Sequence, residues 1–166
     1  MHASRGTESS ERLLRRLREV GTEIALFNRR VAASMGIREA DLVVLDVVHR
    51  TGPASPSQLS ACTGIHAATM TGILTRLEDD GWIERLPAPG DRRGARIRSR
   101  DPERLEAAYA EVNRSLLDAF SDLDDRRADE LSDVLATVAA QLRDVARDRP
   151  PVTGPPPRSR DQAPQG

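Results

Sequence analysis

Two short groups of hydrogen-bonding side chains stand out in the middle of the chain. The first combines hydroxyls with one guanidinium at helical spacing, and its members are Thr69, Thr71, Thr75 and Arg76. The second is the pair Arg92-Arg93, which follows Asp91 in a segment rich in Pro and Gly. Hydroxyl and guanidinium groups donate hydrogen bonds to phosphate oxygens and to base edges. These residue types therefore predict that the chain binds a phosphate-bearing partner without making or breaking a covalent bond.

Catalytic and metal-binding patterns are missing from the sequence. It contains no Gly-rich phosphate loop, no nucleophile elbow and no Cys/His set with metal-ligand spacing. The single cysteine, Cys62, excludes an intramolecular disulfide, and we interpret it as a small buried residue. The acidic cluster within residues 122–130 is interpreted as a helix N-terminus, not as a metal site. We therefore expect no enzyme activity, no metal and no cofactor.

Charge is unevenly distributed along the chain, although its sum is close to zero. The formal net charge is −1, and all 25 basic residues are Arg. Residues 50–100 hold eight arginines against five acids, whereas residues 101–148 hold six against thirteen. A basic middle can attract phosphate while an acidic region balances it. Aromatic residues are only 2% of the chain, which argues against readers of unpaired bases that need stacking platforms.

The first group lies on the second of two predicted helices that are joined by a tight turn. Residues 55–58 predict a capped start, with Ser55 as the N-cap and Gln58 completing a capping box. Gly64 ends this short helix, and the next helix carries an apolar inner face. That face consists of Ile65, Met70, Ile73, Leu74 and Leu77. The pattern predicts a helix-turn-helix, whose second helix fits the major groove of DNA.

The second group lies at the tip of a predicted β-hairpin. Residues 82–86 and 95–99 alternate apolar and polar side chains with period two, and residues 87–94 between them are rich in turn formers. A hairpin directly after a helix-turn-helix forms a wing. We expect Arg92 and Arg93 to reach phosphate or to enter the adjacent minor groove.

The helix-turn-helix and its wing together form the winged lobe. Helices with apolar seams are predicted on both sides of this lobe. The first seam has heptad-like spacing and consists of Leu13, Leu17, Val20, Ile24, Phe27 and Val31. It requires a neighbouring helix, either within the chain or in a second subunit, and the sequence does not choose between them. Residues 42–48 have the β-branched composition of a strand, but we interpret them as a buried helix. Asp101-Pro102 predicts another helix start, and further seams follow over residues 105–120 and 131–145.

Six segments of the lobe match the pattern of one known family. They are Ser55–Leu59, Gly64–Ile65, Thr69, Leu74–Glu78, Gly81–Arg85 and Gly90–Arg93. Together they resemble the multiple antibiotic resistance regulator (MarR) family, and the resemblance runs from about residue 11 to residue 147. Its most specific part is the combination of residues 76–78 with the wing residues 91–93. The implied fold is mainly α with a small β-hairpin wing, a winged helix-turn-helix with flanking N- and C-terminal dimerisation helices.

The resemblance also implies a function and a set of contacts. Family members are homodimers that bind pseudo-palindromic duplex DNA and commonly repress nearby genes. Many release DNA when a small, often aromatic anion binds between the dimer helices and the DNA-binding lobe. Their DNA contacts map here to Ser57, Ala68, Thr69, Thr71, Gly72, Arg76, Arg92 and Arg93. Asp91 matches the wing acid that holds a wing arginine, and we add His66 and Thr75 as candidate contacts.

Two positions depart from the family pattern. Ala67 and Gly72 stand where many members carry Arg or another long polar side chain, so we expect the wing and Arg76 to contribute more of the binding. Arg76 has an alternative role, a pair with Asp79 or Asp80 on its own helix. The alternative function is a dimeric protein-interaction module with a degenerate helix-turn-helix.

The predicted organisation has five parts. Residues 1–10 form a flexible N-terminus, 11–36 an N-terminal dimerisation helix, 37–100 the winged lobe and 101–148 the C-terminal dimerisation helices. Residues 149–166 contain six prolines and almost no apolar residues, which predicts a disordered tail. No stretch approaches the roughly 20 apolar residues of a membrane span, and no signal core is present, so we expect a cytoplasmic protein.

Overall fold

The structure, a computed structural model, describes residues 2–88 and 91–148, with side chains for residues 8–87 and 94–146. Its elements are α1 (His2–Met35), α2 (Glu39–Thr51), α3 (Pro56–Thr63), α4 (Ala67–Asp79), β1 (Ile83–Ala88), β2 (Asp91–Ser99), α5 (Pro102–Phe120) and α6 (Asp125–Asp148). The predicted mainly α fold with a small hairpin wing is confirmed. The described residues divide into two compact units, one that ends at Leu123 and one that begins at Asp124. The predicted disordered tail over residues 149–166 lies outside the described residues.

Two boundaries of the structure bear on the predicted organisation, which stays a prediction. The first helix begins at His2, so residues 2–10 belong to α1. The first compact unit extends past residue 100 to residue 123 and so includes α5. The reason is that Leu105 of α5 is buried in the core of that unit.

The segment over residues 42–48 is a helix, as predicted, and lies in the middle of the core. Its buried side chains are Leu42, Val44, Leu45, Val47 and Val48. β-branched residues lower helix propensity by only a few tenths of a kcal/mol, roughly, whereas burying one such side chain contributes about 1.5–3 kcal/mol. Burial therefore outweighs local preference here, and α2 becomes the element on which the lobe is built.

The helix-turn-helix forms as its sequence predicts. The backbone amide of Gln58 donates to the Ser55 hydroxyl at 3.2 Å, and the Ser55 amide donates to Oε1 of Gln58 at 2.8 Å. Gly64 ends α3 in the left-handed conformation, with φ of 71°. Only glycine adopts this conformation without steric cost, so Gly64 sets the direction in which α4 leaves the turn.

The core of the lobe closes over the inner face of α4. Met70, Ile73, Leu74 and Leu77 are buried as predicted, and Ile65 is half-buried. The side chains that complete this core include Leu59, Trp82, Ile83 and Ile97. One expectation was wrong, because Cys62 is exposed. On the short helix α3, only Leu59 is buried, so there was no second inward position for the thiol.

The hairpin is attached to the lobe at its base. β1 pairs antiparallel with β2, from Ile83 opposite Ser99 to Ala88 opposite Asp91, with an irregularity between Pro87 and Ala88. Ala54, which precedes α3, exchanges two backbone hydrogen bonds with Ile97, at 3.1 and 2.7 Å. The wing therefore has a fixed base beside the helix-turn-helix.

The seams of α1 and α5 are each buried at one end only. In α1, Val31 and Ala32 are buried, whereas Val20 and Ile24 are more than half exposed. In α5, Leu105 is buried. The seam residues of α5 that are about half exposed are Leu116 (48%) and Phe120 (49%). Each helix thus packs within the chain at the end that joins the lobe and leaves an apolar surface uncovered further along.

The entry to α5 is built around Trp82. The Asp101 carboxylate accepts a hydrogen bond from the backbone amide of Arg104 at 3.1 Å, and Pro102 occupies the first turn, as predicted. The Arg104 guanidinium lies 3.6 Å from the centre of the buried Trp82 ring. This cation–π contact links the start of α5 to the base of the wing.

The second unit contains α6, which carries an apolar stripe of its own. The exposed members of that stripe are Leu131, Val134, Leu135, Leu142 and Val145. The stripe has the spacing predicted from the sequence. None of the described helices has the length and apolar composition that crossing a membrane would require.

Candidate nucleic-acid interface

The outward face of α4 is short of long side chains. Ala68, Thr69, Thr71 and Thr75 are exposed, and Gly72 is half-buried. Positions 68, 71, 72 and 75 have the spacing of a single helix face, opposite the buried residues. The structure therefore brings most of the predicted contact residues of this helix together on one surface.

The threonine hydroxyls on this face are partly engaged within the helix. The Thr71 hydroxyl donates to the carbonyl of Ala67 at 3.0 Å, and the Thr75 hydroxyl donates to the carbonyl of Thr71 at 3.0 Å. A hydroxyl has one proton but two acceptor lone pairs. Thr71 and Thr75 can therefore still accept hydrogen bonds from base amino groups, but they are not poised to donate to phosphate as the sequence suggested. Thr69 is exposed and better suited to donate.

The N-terminus of α4 is uncapped by a side chain. His66 occupies the N-cap position and is exposed, and its imidazole makes no capping hydrogen bond. Ser57 is exposed in the first turn of α3, where its hydroxyl lies 2.9 Å from that of Ser55. Both residues are therefore accessible at helix N-termini, where backbone N–H groups and the helix dipole favour an anion.

Arg76 has a partner that the sequence did not indicate. Its Nε donates to Oδ2 of Asp41 at 3.0 Å, and its Nη2 donates to Oδ1 at 2.6 Å. The Asp41 side chain is 4% exposed and that of Arg76 is 36% exposed. The hydrogen bond with Asp41 raises the pKa of Arg76 above its ordinary value. The alternative pair with Asp79 or Asp80 is not formed, because the guanidinium turns towards α2.

Three arginines on the strands of the hairpin, Arg85, Arg96 and Arg98, are also committed within the chain. Arg85 pairs with Glu78 of α4 at 2.7 Å, and Arg98 pairs with Glu84 across the hairpin. Arg96 donates from Nε to the carbonyl of Pro53 at 3.1 Å. Glu78 and Glu84 therefore neutralise Arg85 and Arg98, and a backbone carbonyl holds Arg96.

The wing tip carries the remaining predicted contacts. Asp91 begins β2, and Arg92 and Arg93 follow it in the same strand. The side chains of these three residues lie outside those that the structure describes. Their predicted contacts with phosphate or the minor groove stay predictions.

A groove of about 780 Å³ lies between α1 and α5. Its apolar lining includes Val20, Ile24, Phe27, Val112 and Leu116. Its charged lining consists of Arg16, Glu19, Glu23 and Arg30. The described residues hold no cluster of three or more His, Cys, Asp or Glu side chains suited to a metal ion.

Tyr109 lies in the wall of this groove and joins its two helices. The Tyr109 hydroxyl donates to Oδ1 of Asn28 at 3.0 Å, and its ring centre is 5.8 Å from that of Phe27. Burial, and to a lesser degree the Asp46 carboxylate, raises the pKa of Tyr109 above its ordinary value. The hydroxyl therefore stays protonated near neutral pH and keeps its role as a donor.

Comparison with known proteins gives a consistent result. Residues 37–94 match the model of the MarR family. The uncharacterized HTH-type transcriptional regulator YcgE of Bacillus subtilis is 33% identical over 76 residues, which are 46% of this chain and 49% of that protein. The match thus spans about half the length of this relative.

Solved structures share the fold over most of the chain. The transcriptional regulator Tm0710 of Thermotoga maritima has 27% identity and a TM-score of 0.58, over 84% of this chain and 99% of its own. A mutant MarR from Escherichia coli, crystallised in complex with operator DNA, has 23% identity and a TM-score of 0.52. It covers 76% of this chain and 92% of its own. The relatives and the fold are those of transcription regulators and not of enzymes.

Proposed function

Since residues 37–94 match the model of the MarR family and form a winged helix-turn-helix, we propose that the protein is a transcription regulator that binds pseudo-palindromic duplex DNA as a homodimer. The observation that carries this proposal is the exposed face of α4 over residues 68–75, beside a hairpin with a fixed base. A helix with short side chains on its outer face fits closely into a major groove about 12 Å wide. The operator complex of the Escherichia coli MarR mutant, which has the same fold, supports this mode of binding.

The proposed contacts follow from the chemistry of each exposed group. Thr69 donates to a phosphate, and Thr71 and Thr75 accept from base amino groups in the major groove. The Ala68 methyl packs against the base edges, where it suits a thymine methyl. The absence of a side chain at Gly72 lets the helix backbone approach the DNA closely.

The remaining contacts are made to the DNA backbone and the minor groove. Ser57 and His66 lie at helix N-termini and contact phosphates. Arg92 and Arg93 supply the phosphate or minor-groove contacts of the wing, and Asp91 holds one of these arginines in position. Backbone contacts fix the register of the protein on the duplex, whereas the contacts of α4 carry its sequence preference.

A second copy of the chain accounts for the uncovered apolar ends of α1 and α5. Leu13 is 70% exposed and Leu117 is 69% exposed, and both belong to long helices with further apolar residues along their length. Monomeric soluble proteins rarely expose contiguous apolar patches of this kind. A two-fold dimer would cover the patches and would present two α4 helices about 34 Å apart, one helical turn of DNA.

The groove between α1 and α5 supports a role for a small-molecule effector. Its volume of about 780 Å³ lies within the range of small-ligand pockets, roughly 300–1,000 Å³. Arg30 can pair with the carboxylate of a small aromatic anion, whose ring would fit the apolar lining, whereas Arg16 is already paired with Glu19 at 2.6 Å. We propose that such an effector favours a conformation with weaker DNA binding. Benzoate is a suitable first probe, and DNA release that saturates with benzoate concentration would support the proposal.

Fluorescence anisotropy tests the DNA-binding proposal directly. The full chain is titrated onto a labelled duplex from the region upstream of its own gene, with a scrambled duplex of the same length as the control. We expect tighter binding to the upstream duplex and a linear fall of log K with log salt concentration. Weak binding that does not change with salt would rule the proposal out. A reporter fused to the same upstream region then distinguishes repression, which we expect, from activation.

A dimeric protein-interaction module with a degenerate helix-turn-helix is the second candidate function. It is favoured by the engaged hydroxyls of Thr71 and Thr75 and by the internal pairing of Arg76. Light scattering of the full chain, together with a footprint on the upstream region, separates the two candidates. A dimer without a footprint would favour the interaction module, whereas a dimer with a symmetric footprint would favour the regulator.

A further inference from the structure

The pair formed by Asp41 and Arg76 joins two elements that are distant in the sequence. The two residues are 35 positions apart, and their two parallel hydrogen bonds connect α2 to α4. Asp41 is 3% exposed and is the one charged residue among the buried side chains of the described residues. A buried carboxylate is strongly disfavoured unless it is paired and hydrogen-bonded. Because Asp41 cannot turn to solvent, it fixes the position of the guanidinium that pairs with it.

The orientation of the guanidinium places its third nitrogen on the outer face of α4. Nε and Nη2 face Asp41, whereas Nη1 lies 3.6 Å from the point where a Cβ on Gly72 would be. The side chain thus leans one turn towards the N-terminus of α4, as long side chains on helices do. Gly72 has no side chain to cover this edge, and its neighbours Ala68, Thr69 and Thr71 are exposed.

We propose that Asp41 is a positioning residue for DNA binding. It accepts hydrogen bonds from two nitrogens of Arg76, so that α4 keeps a fixed orientation on α2 and the third nitrogen, Nη1, is presented to a DNA phosphate. Asp41 itself does not touch the DNA. This inference rests on the proposed function, because it names how one residue outside the interface controls a contact within it.

The proposal predicts an effect opposite to that of simple electrostatics. Removing a carboxylate near a polyanion should strengthen binding, because it lowers the repulsion. If Asp41 positions Arg76, the Asp41→Asn variant should instead bind DNA more weakly, although its net charge is more favourable. The Asn side chain has nearly the same shape, but it offers one acceptor and places an amide donor against the guanidinium.

A second variant tests the role of the guanidinium fork. Arg76→Lys keeps the positive charge, but an ammonium is a compact point charge. It cannot bind the Asp41 carboxylate through one edge while a second edge faces the DNA, as a guanidinium can. Asp46→Asn is the matched control. Asp46 lies on the same helix and pairs with Arg50 at 2.9 Å on an exposed surface, so the control removes an equal charge without touching α4.

The experiment measures the Kd of the full chain for its upstream duplex across a salt series. We expect Asp41→Asn and Arg76→Lys each to weaken binding about tenfold. Arg76→Lys should also lower the salt slope, which is the slope of log K against log salt concentration, by about one, the effect of one lost phosphate contact. Asp46→Asn should bind as wild type or slightly tighter. Circular dichroism and light scattering establish that each variant is folded and has the wild-type oligomeric state.

The outcomes separate this inference from the function on which it rests. If the wild-type chain binds no duplex, both are overturned. If wild type binds and folded Asp41→Asn binds equally well or tighter, or if Arg76→Lys keeps the wild-type affinity and slope, only the positioning role of Asp41 fails. If Asp41→Asn does not fold, the affinity and salt slope of Arg76→Lys decide, because its side chain is partly exposed and its charge is retained.

Discussion

The lobe of residues 37–100 and the long helices α1 and α5 bury their apolar side chains to very different extents. In the lobe, Leu59, Leu77 and Ile97 are fully buried by the chain itself. In α1 and α5 the apolar seam is covered only where each helix joins the lobe, and Leu13 and Leu117 remain about two-thirds exposed. Hydrophobic stabilisation is roughly proportional to the apolar area removed from water. The lobe therefore holds its own shape, whereas the outer ends of the helices need a partner to become stable.

This difference divides the proposed function between the two regions. We propose that the lobe presents α4 and the wing to DNA, and that the uncovered helix ends set the distance between two such lobes in a dimer. A change in the lobe core should then act at any protein concentration. A change on the helix seams should act through dimer formation and thus depend on concentration.

Leu77→Ala should have the largest effect on stability. Leu77 is fully buried in the lobe, so truncation leaves a cavity and lowers the free energy of unfolding by about 2–5 kcal/mol. Urea denaturation at two protein concentrations measures the loss. The matched control is Leu13→Ala on the exposed part of α1, where we expect a smaller loss that is absent at concentrations where the chain is monomeric and grows to a plateau as concentration rises. Equal losses for the two variants would contradict the contrast between lobe and helices.

Val20→Glu combined with Ile24→Glu should separate the subunits. Both side chains are more than half exposed on one face of α1, so charge there hardly affects the folded chain but opposes its burial between copies. Light scattering should show a monomer, and DNA affinity should fall about a hundredfold because two linked contacts become one. Val43→Glu is the control, since Val43 is 48% exposed on the lobe, and it should stay dimeric. A dimeric double variant would place the interface elsewhere.

Local sequence signals predicted most of the fold but not the partner of Arg76. The capping box at Ser55, the left-handed Gly64 and the inner face of α4 all depend on residues within a few positions of each other, so spacing alone could predict them. Asp41 and Arg76 are 35 residues apart, and their contact depends on how α4 packs against α2. A signal was nevertheless present, because Asp41 shares a helix face with the buried Leu45 and Val48. An acid on a buried face needs a partner.

The ion pairs of the wing are the feature that the sequence analysis predicted least well. Composition predicted a basic hairpin, but side-chain partners such as Glu84 for Arg98 cannot be read from composition. They depend on the register of the two strands, which places residues 84 and 98 opposite each other. Cys62 was misjudged for a related reason, since a helix of eight residues offers few inward positions.

Arg92→Ala combined with Arg93→Ala should weaken binding to all duplex sequences by a similar factor. Loss of two phosphate contacts should lower the salt slope by about two. The control is Arg98→Ala, because Arg98 is already paired with Glu84 and its removal should change the slope little. Anisotropy with the upstream and scrambled duplexes measures both quantities. An unchanged slope in the double variant would mean that the wing tip does not contact the backbone.

Gly72→Ala should have the smallest effect, and one of opposite sign. Gly72 lies within α4, where replacement by Ala adds up to about 1 kcal/mol to the stability of a helix. The new Cβ would meet only Nη1 of Arg76 at 3.6 Å, an ordinary van der Waals distance, so the free energy of unfolding should rise. Gly64→Ala is the matched control. It should destabilise the lobe by about 1–2 kcal/mol, because an alanine with φ near +71° is strained.

The same variant separates two roles for Gly72 in the lobe. If the helix merely tolerates Gly72 and the residue has no role in DNA binding, Gly72→Ala should bind DNA as wild type. If the Cβ instead holds α4 away from the major groove, affinity should fall although stability rises. Gly21→Ala provides the comparison in α1, where the new Cβ would meet nothing within 4 Å and DNA affinity should not fall. A loss confined to Gly72→Ala would show that the lobe keeps this glycine for close approach to DNA, at a cost in helix stability.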